Sequence, residues 1–147
     1  MELKDEIVIA APRAQVYDAL NDPEVLRKCI PGCEELEKHS DTELSAKVTL
    51  KIGPVKAKFN GEVTLNPENP PERFSLTGEG KGGAAGFAKG GADVVLEEHE
   101  DGTLLRYDAS ADIGGKLAQL GNRLVQGTAK KLSAKFFDNF KNEVESS

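Results

Sequence analysis

The C-terminal segment of the chain constrains its fold most, because the spacing of the apolar residues changes there. From Leu117 onward, apolar residues recur every three or four positions, which is the period of an amphipathic helix. They are Leu120, Leu124, Val125, Ala129, Leu132, Phe136, Phe140 and Val144. We predict one helix of about 25 residues, which at about 1.5 Å per residue is about 38 Å long.

The chain before this helix alternates apolar and polar residues with the period of β-strands. The even positions of 44–50 and the odd positions of 55–65 are apolar, so each strand has one dry face. Residues 3–10 predict a first strand, and two short helices follow at 11–22 and 23–30. The predicted fold class is α+β, with a curved antiparallel sheet of about seven strands that is covered by the long C-terminal helix.

Length and charge indicate one soluble domain without a nucleic-acid partner. The chain has 147 residues, 38% of them hydrophobic and 30% charged, which suits a single globular domain over 1–147. A net charge of −6 lacks the basic footprint that nucleic acid requires. No apolar run approaches the roughly 20 residues that span a bilayer, and we identify no secretory signal. We therefore expect a cytoplasmic protein.

A glycine-rich segment, GEGKGGAAGFAKGGA at 78–92, holds seven of the fifteen glycines. Its first six residues match G-x-G-x-x-G, a pattern found in loops that bind nucleotide phosphates. Such a loop needs a helix directly after it, because the N–H groups of the helix N-terminus hold the anion. Here a β-branched segment, ADVVLEE, follows instead. The segment therefore predicts a glycine-rich hairpin of the sheet and not a nucleotide site.

The same glycines suggest empty space between the sheet and the C-terminal helix. Glycine within strands marks a bulge, a bend or a close approach. A bulge at 90–91 would bring Phe87 onto the same face as Val94. The helix also carries small residues at Gly121 and Thr128, so side chains are missing from both walls. Composition alone leaves two interpretations open: an apolar cavity, or tight packing of a strongly coiled sheet.

The inward positions predicted from this parity define a candidate ligand site that is almost wholly apolar. The site residues are Leu50, Phe59, Gly61, Leu76, Gly78, Phe87, Leu120, Gly121, Leu124, Val125 and Thr128. Apolar cavities with few polar groups bind hydrophobic molecules, and each buried methylene contributes about 0.8 kcal/mol. We predict a hydrophobic small molecule as the ligand, with no catalytic residue, no metal and no cofactor.

The sequence carries no catalytic motif, although one enzyme interpretation stays open. His39 and His99 each lie in a charged, turn-like segment, where a solvated imidazole is expected. No nucleophile elbow and no histidine pair with metal-ligand spacing occurs. A cyclase or hydrolase acting inside the cavity would need a buried ionisable group. A shift of one residue in strand 103–113 would supply Arg106, Asp108 or Asp112.

Three motifs resemble a known family and extend over essentially the whole chain. They are LRKCIPGCEEL at 26–36, GEGKGGAAGFAKGGADVVL at 78–96 and GGKLAQLGNRLVQGTAKKLSAKFF at 114–137. Together they are similar to the subfamily of the CoxG subunit of carbon monoxide dehydrogenase, within the SRPBCC superfamily of START and pollen-allergen proteins. The resemblance implies a helix-grip fold, in which the sheet wraps around the C-terminal helix and an apolar cavity lies between them.

The resemblance also implies a function. Members of this subfamily are associated with molybdenum hydroxylases of the CO dehydrogenase class, and the resemblance implies that they tie such an enzyme to the membrane by carrying quinone in the cavity. A carrier or accessory protein is therefore the leading interpretation. The alternatives are the cavity enzyme described above and a pure interaction or assembly subunit whose cavity is vestigial.

The C-terminal segment carries a surplus of cations within an acidic chain. Residues 116–147 hold six Lys or Arg against three acidic residues. A solvated helix face explains this most simply. The alternative is a patch that meets an acidic partner or anionic lipid, formed by Arg123, Lys130, Lys131 and Lys135. Longer members of the subfamily extend into a membrane-associating tail and this chain stops at NEVESS, so we expect at most transient contact at the inner face of the membrane.

Overall fold

The computed structural model describes residues 1–146 and contains a seven-stranded antiparallel sheet with a long C-terminal helix. The strands are β1 (Glu2–Ile9), β2 (Cys33–Lys38), β3 (Glu43–Ile52), β4 (Val55–Asn69), β5 (Arg73–Lys81), β6 (Phe87–His99) and β7 (Gly102–Gly114). The helices are α1 (Arg13–Leu20), α2 (Pro23–Cys29), α3 (Lys116–Gln119) and α4 (Asn122–Glu145), with a 3-10 turn at Gly83–Ala85. The strand order is β1-β7-β6-β5-β4-β3-β2. The predicted fold class and strand number are confirmed.

The two short helices carry the chain from one edge strand of the sheet to the other. Asp22 caps α2, because its carboxylate accepts a hydrogen bond of 2.9 Å from the Glu24 N–H and Pro23 occupies the first turn. Gly32 follows α2 with a left-handed φ of +76°. A Cβ at Gly32 would lie 2.1 Å from the Thr49 carbonyl oxygen, so only glycine lets the chain pass this close to β3.

Successive connections lie at alternate ends of the molecule because the strands are antiparallel. One end holds the β3–β4 and β5–β6 connections and the junction between β7 and α3. The opposite end holds α1 and the β2–β3, β4–β5 and β6–β7 connections. The guanidinium of Arg13 in α1 lies 3.5 Å from the carboxylates of both Glu72 and Glu98, which fixes α1 against this end.

Buried side chains form two clusters at different levels of the fold. The larger cluster is at the α1 end and includes Ile9, Val16, Leu105, Phe140 and Val144. The smaller cluster is at the opposite end and consists of Phe59, Ala85 and Leu117. The C-terminal half of α4 therefore packs into the larger cluster, whereas its N-terminal half covers the end of the sheet that holds the smaller cluster.

The C-terminal helical segment is not the single helix predicted from Leu117. The short helix α3 ends at Gln119, and α4 begins after Gly121, whose φ is +91°. Glycine adopts this left-handed conformation at little cost, but a right-handed helix cannot continue through it. Helix α4 then runs for 24 residues. Within residues 1–146, no helix combines the length and the apolar character needed to cross a membrane.

The bulge predicted at 90–91 is wrong, and Phe87 lies on the outer face of the sheet. Strand β6 pairs in continuous register with β5 and β7 through this region. Gly90 serves a close approach to β7 instead, because a Cβ there would lie 2.0 Å from the Ser110 carbonyl oxygen. Phe87 is 43% exposed, and its ring covers Gly114, where a Cβ would come within 2.2 Å of the ring.

Candidate functional site

An apolar cavity of about 310 Å³ lies between the sheet and the second half of α4. The inward residues of β3 to β7 form its sheet wall. These include Leu44, Val63, Leu76, Ala92, Val94 and Ala109. The helical wall consists of Leu20, Leu26, Ile30, Phe136 and Phe137. We refer to this space as the first cavity.

A second apolar cavity of about 340 Å³ lies under the first half of α4. Its sheet wall includes Val48, Leu50, Phe59, Gly61, Gly80 and Ile113. Its helical wall includes Leu117, Val125, Thr128, Ala129 and Leu132. A Cβ built on Gly80 would meet no atom within 4 Å, so the missing side chain at this position contributes directly to the empty space.

The two cavities adjoin each other along the axis of α4. Ile30 lines both of them and therefore stands at their boundary. On the sheet, the row between them consists of Gly78, Gly90 and Ala111, which pair with one another in register. Across β5 to β7 the sheet therefore carries few side-chain atoms in this row, and the row continues on β4 with Val63, which lines the first cavity.

Polar groups are few in both linings. The first cavity has Ser45, Ser133 and Tyr107 in its lining, and the second has Thr128. The Tyr107 ring stacks on Phe137 with 4.9 Å between the ring centroids. Among residues 1–146, no Asp, Glu, Lys, Arg or His lines either cavity. Such a surface can hold an apolar molecule by desolvation, and within residues 1–146 Tyr107 is the one ionisable side chain that it contains.

The structure brings six of the predicted site residues to the cavities. Leu50, Phe59, Gly61, Val125 and Thr128 line the second cavity, and Leu76 lines the first. The predicted parity placed these residues because inward and outward positions alternate along each strand. Gly78 lies in the row between the two cavities, where a Cβ would be 3.3 Å from the Glu62 carbonyl oxygen.

The other four predicted residues lie outside the cavities. Leu120 packs on the smaller core cluster, and Gly121 precedes the start of α4. Leu124 is 38% exposed and lies against Gly53 in the β3–β4 connection. Phe87 is on the outer face, as described above. The break at Gly121 separates Leu120 from α4, so the continuous helix expected through these positions does not form. A leucine at Gly121 would strain the backbone and would not fill a cavity.

The helical wall of the first cavity could not be predicted from the sequence. Leu20, Leu26 and Ile30 come from the segment that joins the two edge strands, and no local pattern shows where this segment packs. Phe136 and Phe137 are adjacent in sequence, and only the first belongs to the predicted apolar stripe. The usable signal was the run of small inward residues, since Ala92 and Ala109 face each other across β6 and β7.

The residues considered for catalysis do not line either apolar cavity. Strand β7 has the predicted register, so Arg106, Asp108 and Asp112 point away from the inward residues Leu105 and Tyr107. Asp108 forms an ion pair of 3.4 Å with Lys4, and Arg106 pairs with Glu97. His39 contacts the Ser45 hydroxyl at 2.7 Å at the surface.

The two cysteines are free thiols. Burial raises the pKa of the Cys29 thiol to about 11, and the nearby Glu143 carboxylate adds to the shift. Burial also raises the pKa of Cys33. Both thiols are therefore protonated at physiological pH and are poor nucleophiles.

Comparison with known proteins gives the following matches. A family model described as the CoxG subunit of carbon monoxide dehydrogenase matches residues 6–145. A conserved protein from Geobacillus kaustophilus has 32% identity and a TM-score of 0.92, with 100% of this chain and 97% of that chain covered. A Thermus thermophilus protein has 19% identity and a TM-score of 0.76, with 99% and 98% covered. No curated protein sequence matches.

An aromatase/cyclase from Streptomyces sp. R1128 has 11% identity and a TM-score of 0.68, with 99% of this chain and 93% of that chain covered. At this identity the likeness concerns the helix-grip fold alone. The family match carries more, because residues 6–145 run from β1 to the end of α4 and include nearly every residue that lines the two cavities. On this match the chain belongs to the CoxG family of carbon monoxide dehydrogenase subunits.

Proposed function

We propose that this protein is a non-enzymatic carrier that holds a hydrophobic molecule of quinone or lipid type in the cavities beneath α4. The observation that carries the proposal is the pair of adjoining cavities whose linings, within residues 1–146, contain no charged side chain. Each volume is at the lower end of the roughly 300–1,000 Å³ typical of small-molecule sites.

The chemistry of the lining selects against polar ligands. An isoprenoid or acyl chain gains about 0.8 kcal/mol for each methylene that it buries. A hydrophilic molecule would lose its hydrogen bonds to water and would find only Thr128, Ser45, Ser133 and Tyr107 as replacements. An elongated apolar tail therefore fits the cavities better than a compact polar substrate.

The family supports the identity of the partner. We propose that the carrier serves a molybdenum hydroxylase of the carbon monoxide dehydrogenase type, since the family model bears the name of a subunit of that enzyme. A quinone held in the cavities would be the acceptor or relay of electrons that leave the hydroxylase. The carrier itself binds and delivers, and the redox chemistry belongs to the ligand and to the partner enzyme.

A ligand of this kind resides in a bilayer, so the carrier must reach a membrane surface. Arg123, Lys130, Lys131 and Lys135 are exposed on α4, and none forms an ion pair within the described residues. Of these four cations, Arg123 lies at the start of α4, and we propose that a cationic surface that includes Arg123 contacts anionic lipid transiently while the ligand is exchanged. No insertion of α4 is required for this contact.

Native mass spectrometry after mild extraction tests the carrier function. We expect a co-purified apolar molecule or uptake of added menaquinone. The variant Gly80→Leu should take up less, because the leucine side chain projects into the second cavity. Thr77→Leu adds a similar apolar side chain to the outer face of the same strand and serves as the control. A protein that holds no apolar molecule and takes up no menaquinone would contradict the proposal.

A further inference from the structure

One end of this acidic protein is positively charged. The segments 51–56, 81–89 and 116–124 meet at the end that holds the β3–β4 and β5–β6 connections and the start of α4, and none of them contains an acidic residue. Their cations are Lys51, Lys56, Lys81, Lys89, Lys116 and Arg123. We refer to this surface as the basic end.

The cations of the basic end are exposed and largely uncompensated. Lys81 lies 3.6 Å from the Glu79 carboxylate. The other five form no ion pair within residues 1–146, but Lys89 has the acidic residues Glu79 and Asp112 as its register partners, which leaves Lys51, Lys56, Lys116 and Arg123 without an acidic partner. Lys51 and Lys56 face each other across the β3–β4 hairpin, where two like charges repel unless an anion lies near them. This arrangement is unfavourable in the isolated protein and becomes favourable against an anionic surface.

The opposite end has the reverse charge. The segments 18–24, 66–73 and 97–102 carry nine acidic residues against Arg73, and Arg13 of α1 is a second cation at this end, paired with Glu72 and Glu98. The charges are therefore separated along the long axis of the molecule. The field of the protein therefore favours an approach in which the basic end faces an anionic partner.

Exposed apolar side chains are found at the same end. Met1, Phe87 and Leu124 are the large apolar residues of the described chain that stay more than a third exposed, at 38%, 43% and 38%. Phe87 lies over Gly114, and Leu124 lies against the turn at Gly53. Met1 lines the second cavity. The three side chains thus surround the end of the molecule at which the second cavity lies.

We propose that the basic end docks the protein on an anionic lipid bilayer, with Phe87 and Leu124 entering the headgroup region and the second cavity facing the lipid. Cations beside exposed apolar side chains are the combination that binds an anionic membrane interface. An acidic protein surface would also match the cations and the apolar side chains. A lipid surface is favoured because the apolar second cavity lies at this end. The inference rests on the proposed function, since it supplies the route by which an apolar ligand would leave the bilayer.

Vesicle binding separates the basic end from the exposed side of α4. The probes are vesicles of phosphatidylcholine with phosphatidylglycerol and vesicles of phosphatidylcholine alone. Neutralising Lys51, Lys56 and Lys116 together by glutamine should weaken binding to the anionic vesicles by about fivefold for each lysine removed. The control neutralises Lys130, Lys131 and Lys135, which removes the same charge from the side of α4. The control should bind within about twofold of the unmodified protein, because those lysines lie away from the docked end.

A fluorescent side chain tests the orientation independently of affinity. The chain has no tryptophan, so Leu124→Trp introduces a probe that reports its position alone. Anionic vesicles should shift the emission of this variant to the blue, and brominated lipids should quench it. Lys131→Trp, on the side of α4, should keep the emission of a water-exposed indole.

Three outcomes overturn the proposal. They are an unchanged Leu124→Trp emission in the presence of vesicles, equal losses of binding in the two lysine variants, and binding of an acidic protein at the basic end without any binding of vesicles. Uptake of a water-soluble quinone with a short tail is measured on the same variants. Normal uptake with failed docking contradicts the membrane inference alone, whereas failed uptake in the unmodified protein contradicts the carrier function.

Discussion

Replacing Gly80 by leucine should strengthen the fold and weaken ligand binding at the same time. Gly80 faces the second cavity, its φ is not left-handed, and a Cβ there would meet nothing within 4 Å. The leucine side chain therefore enters space that is otherwise left for the ligand. The two effects have opposite signs because the side chain occupies the cavity permanently.

The magnitude follows from the apolar area that the new side chain buries. Burying a leucine contributes about 1.5–3 kcal/mol. Removing the flexibility of a glycine within a strand contributes about 0.5–1 kcal/mol more. We expect the free energy of unfolding to rise by about 2–4 kcal/mol, which raises the Tm by about 4–16 °C for a domain of this size. A ligand displaced by about four carbon atoms loses about 3 kcal/mol, which weakens its Kd by about two orders of magnitude.

Chemical denaturation and menaquinone titration measure the two effects on the same protein. Thr77→Leu is exposed on the outer face of β5 and should change the free energy of unfolding by less than about 0.5 kcal/mol. If the second cavity were closed in solution, leucine at Gly80 would overpack the core and lower the free energy of unfolding by about 1–3 kcal/mol. A destabilised Gly80→Leu protein with unchanged affinity for menaquinone would refute the reasoning.

Three further predictions concern stability and thiol chemistry. Gly127→Ala should raise the free energy of unfolding by about 0.5–1 kcal/mol, because Gly127 lies within α4 and a Cβ there meets nothing within 4 Å. Gly121→Ala should lower the free energy of unfolding by about 1 kcal/mol, because the φ of Gly121 is +91° and alanine is strained in this conformation. Asp22→Ala should lower it by about 1 kcal/mol through loss of the α2 cap, as urea denaturation would measure. Iodoacetamide at neutral pH should label Cys33 before Cys29, because the pKa of Cys29 is about 11 and its side chain is buried. The same raised pKa makes stability depend on pH. Above the pKa of a thiol in the unfolded chain, the unfolded chain loses the Cys29 proton before the folded protein does, so the free energy of unfolding falls.

Local patterns were enough to predict the walls that the strands contribute. The alternation in 44–50 and 55–65 assigned Leu50, Phe59 and Gly61 to the inward face, and the structure places all three in the second cavity. The prediction succeeded because the direction of a strand side chain depends on the pleat alone. The Asp22 cap could also be predicted from the sequence, because its hydrogen bond joins residues only two positions apart.

Features that depend on contacts between residues far apart in the sequence could not be predicted from local patterns. The continuous register of β6 is set by its two neighbouring strands, so Phe87 could not be assigned to a face from the glycines around it. The left-handed conformation of Gly121 interrupts a stripe that otherwise has perfect helical spacing. The helical wall of the first cavity depends on where α2 packs, and Ile30 reaches both cavities only because α2 contacts α4.

The row of Gly78, Gly90 and Ala111 has a consequence for what the protein can distinguish. A surface made of C–H groups offers no side-chain hydrogen bond, so it cannot distinguish the chemical groups along a bound tail. We expect an extended chain that occupies both cavities to cross this row, with Ile30 on the opposite side. We therefore expect the length and the width of a molecule to decide how well it competes for the two cavities.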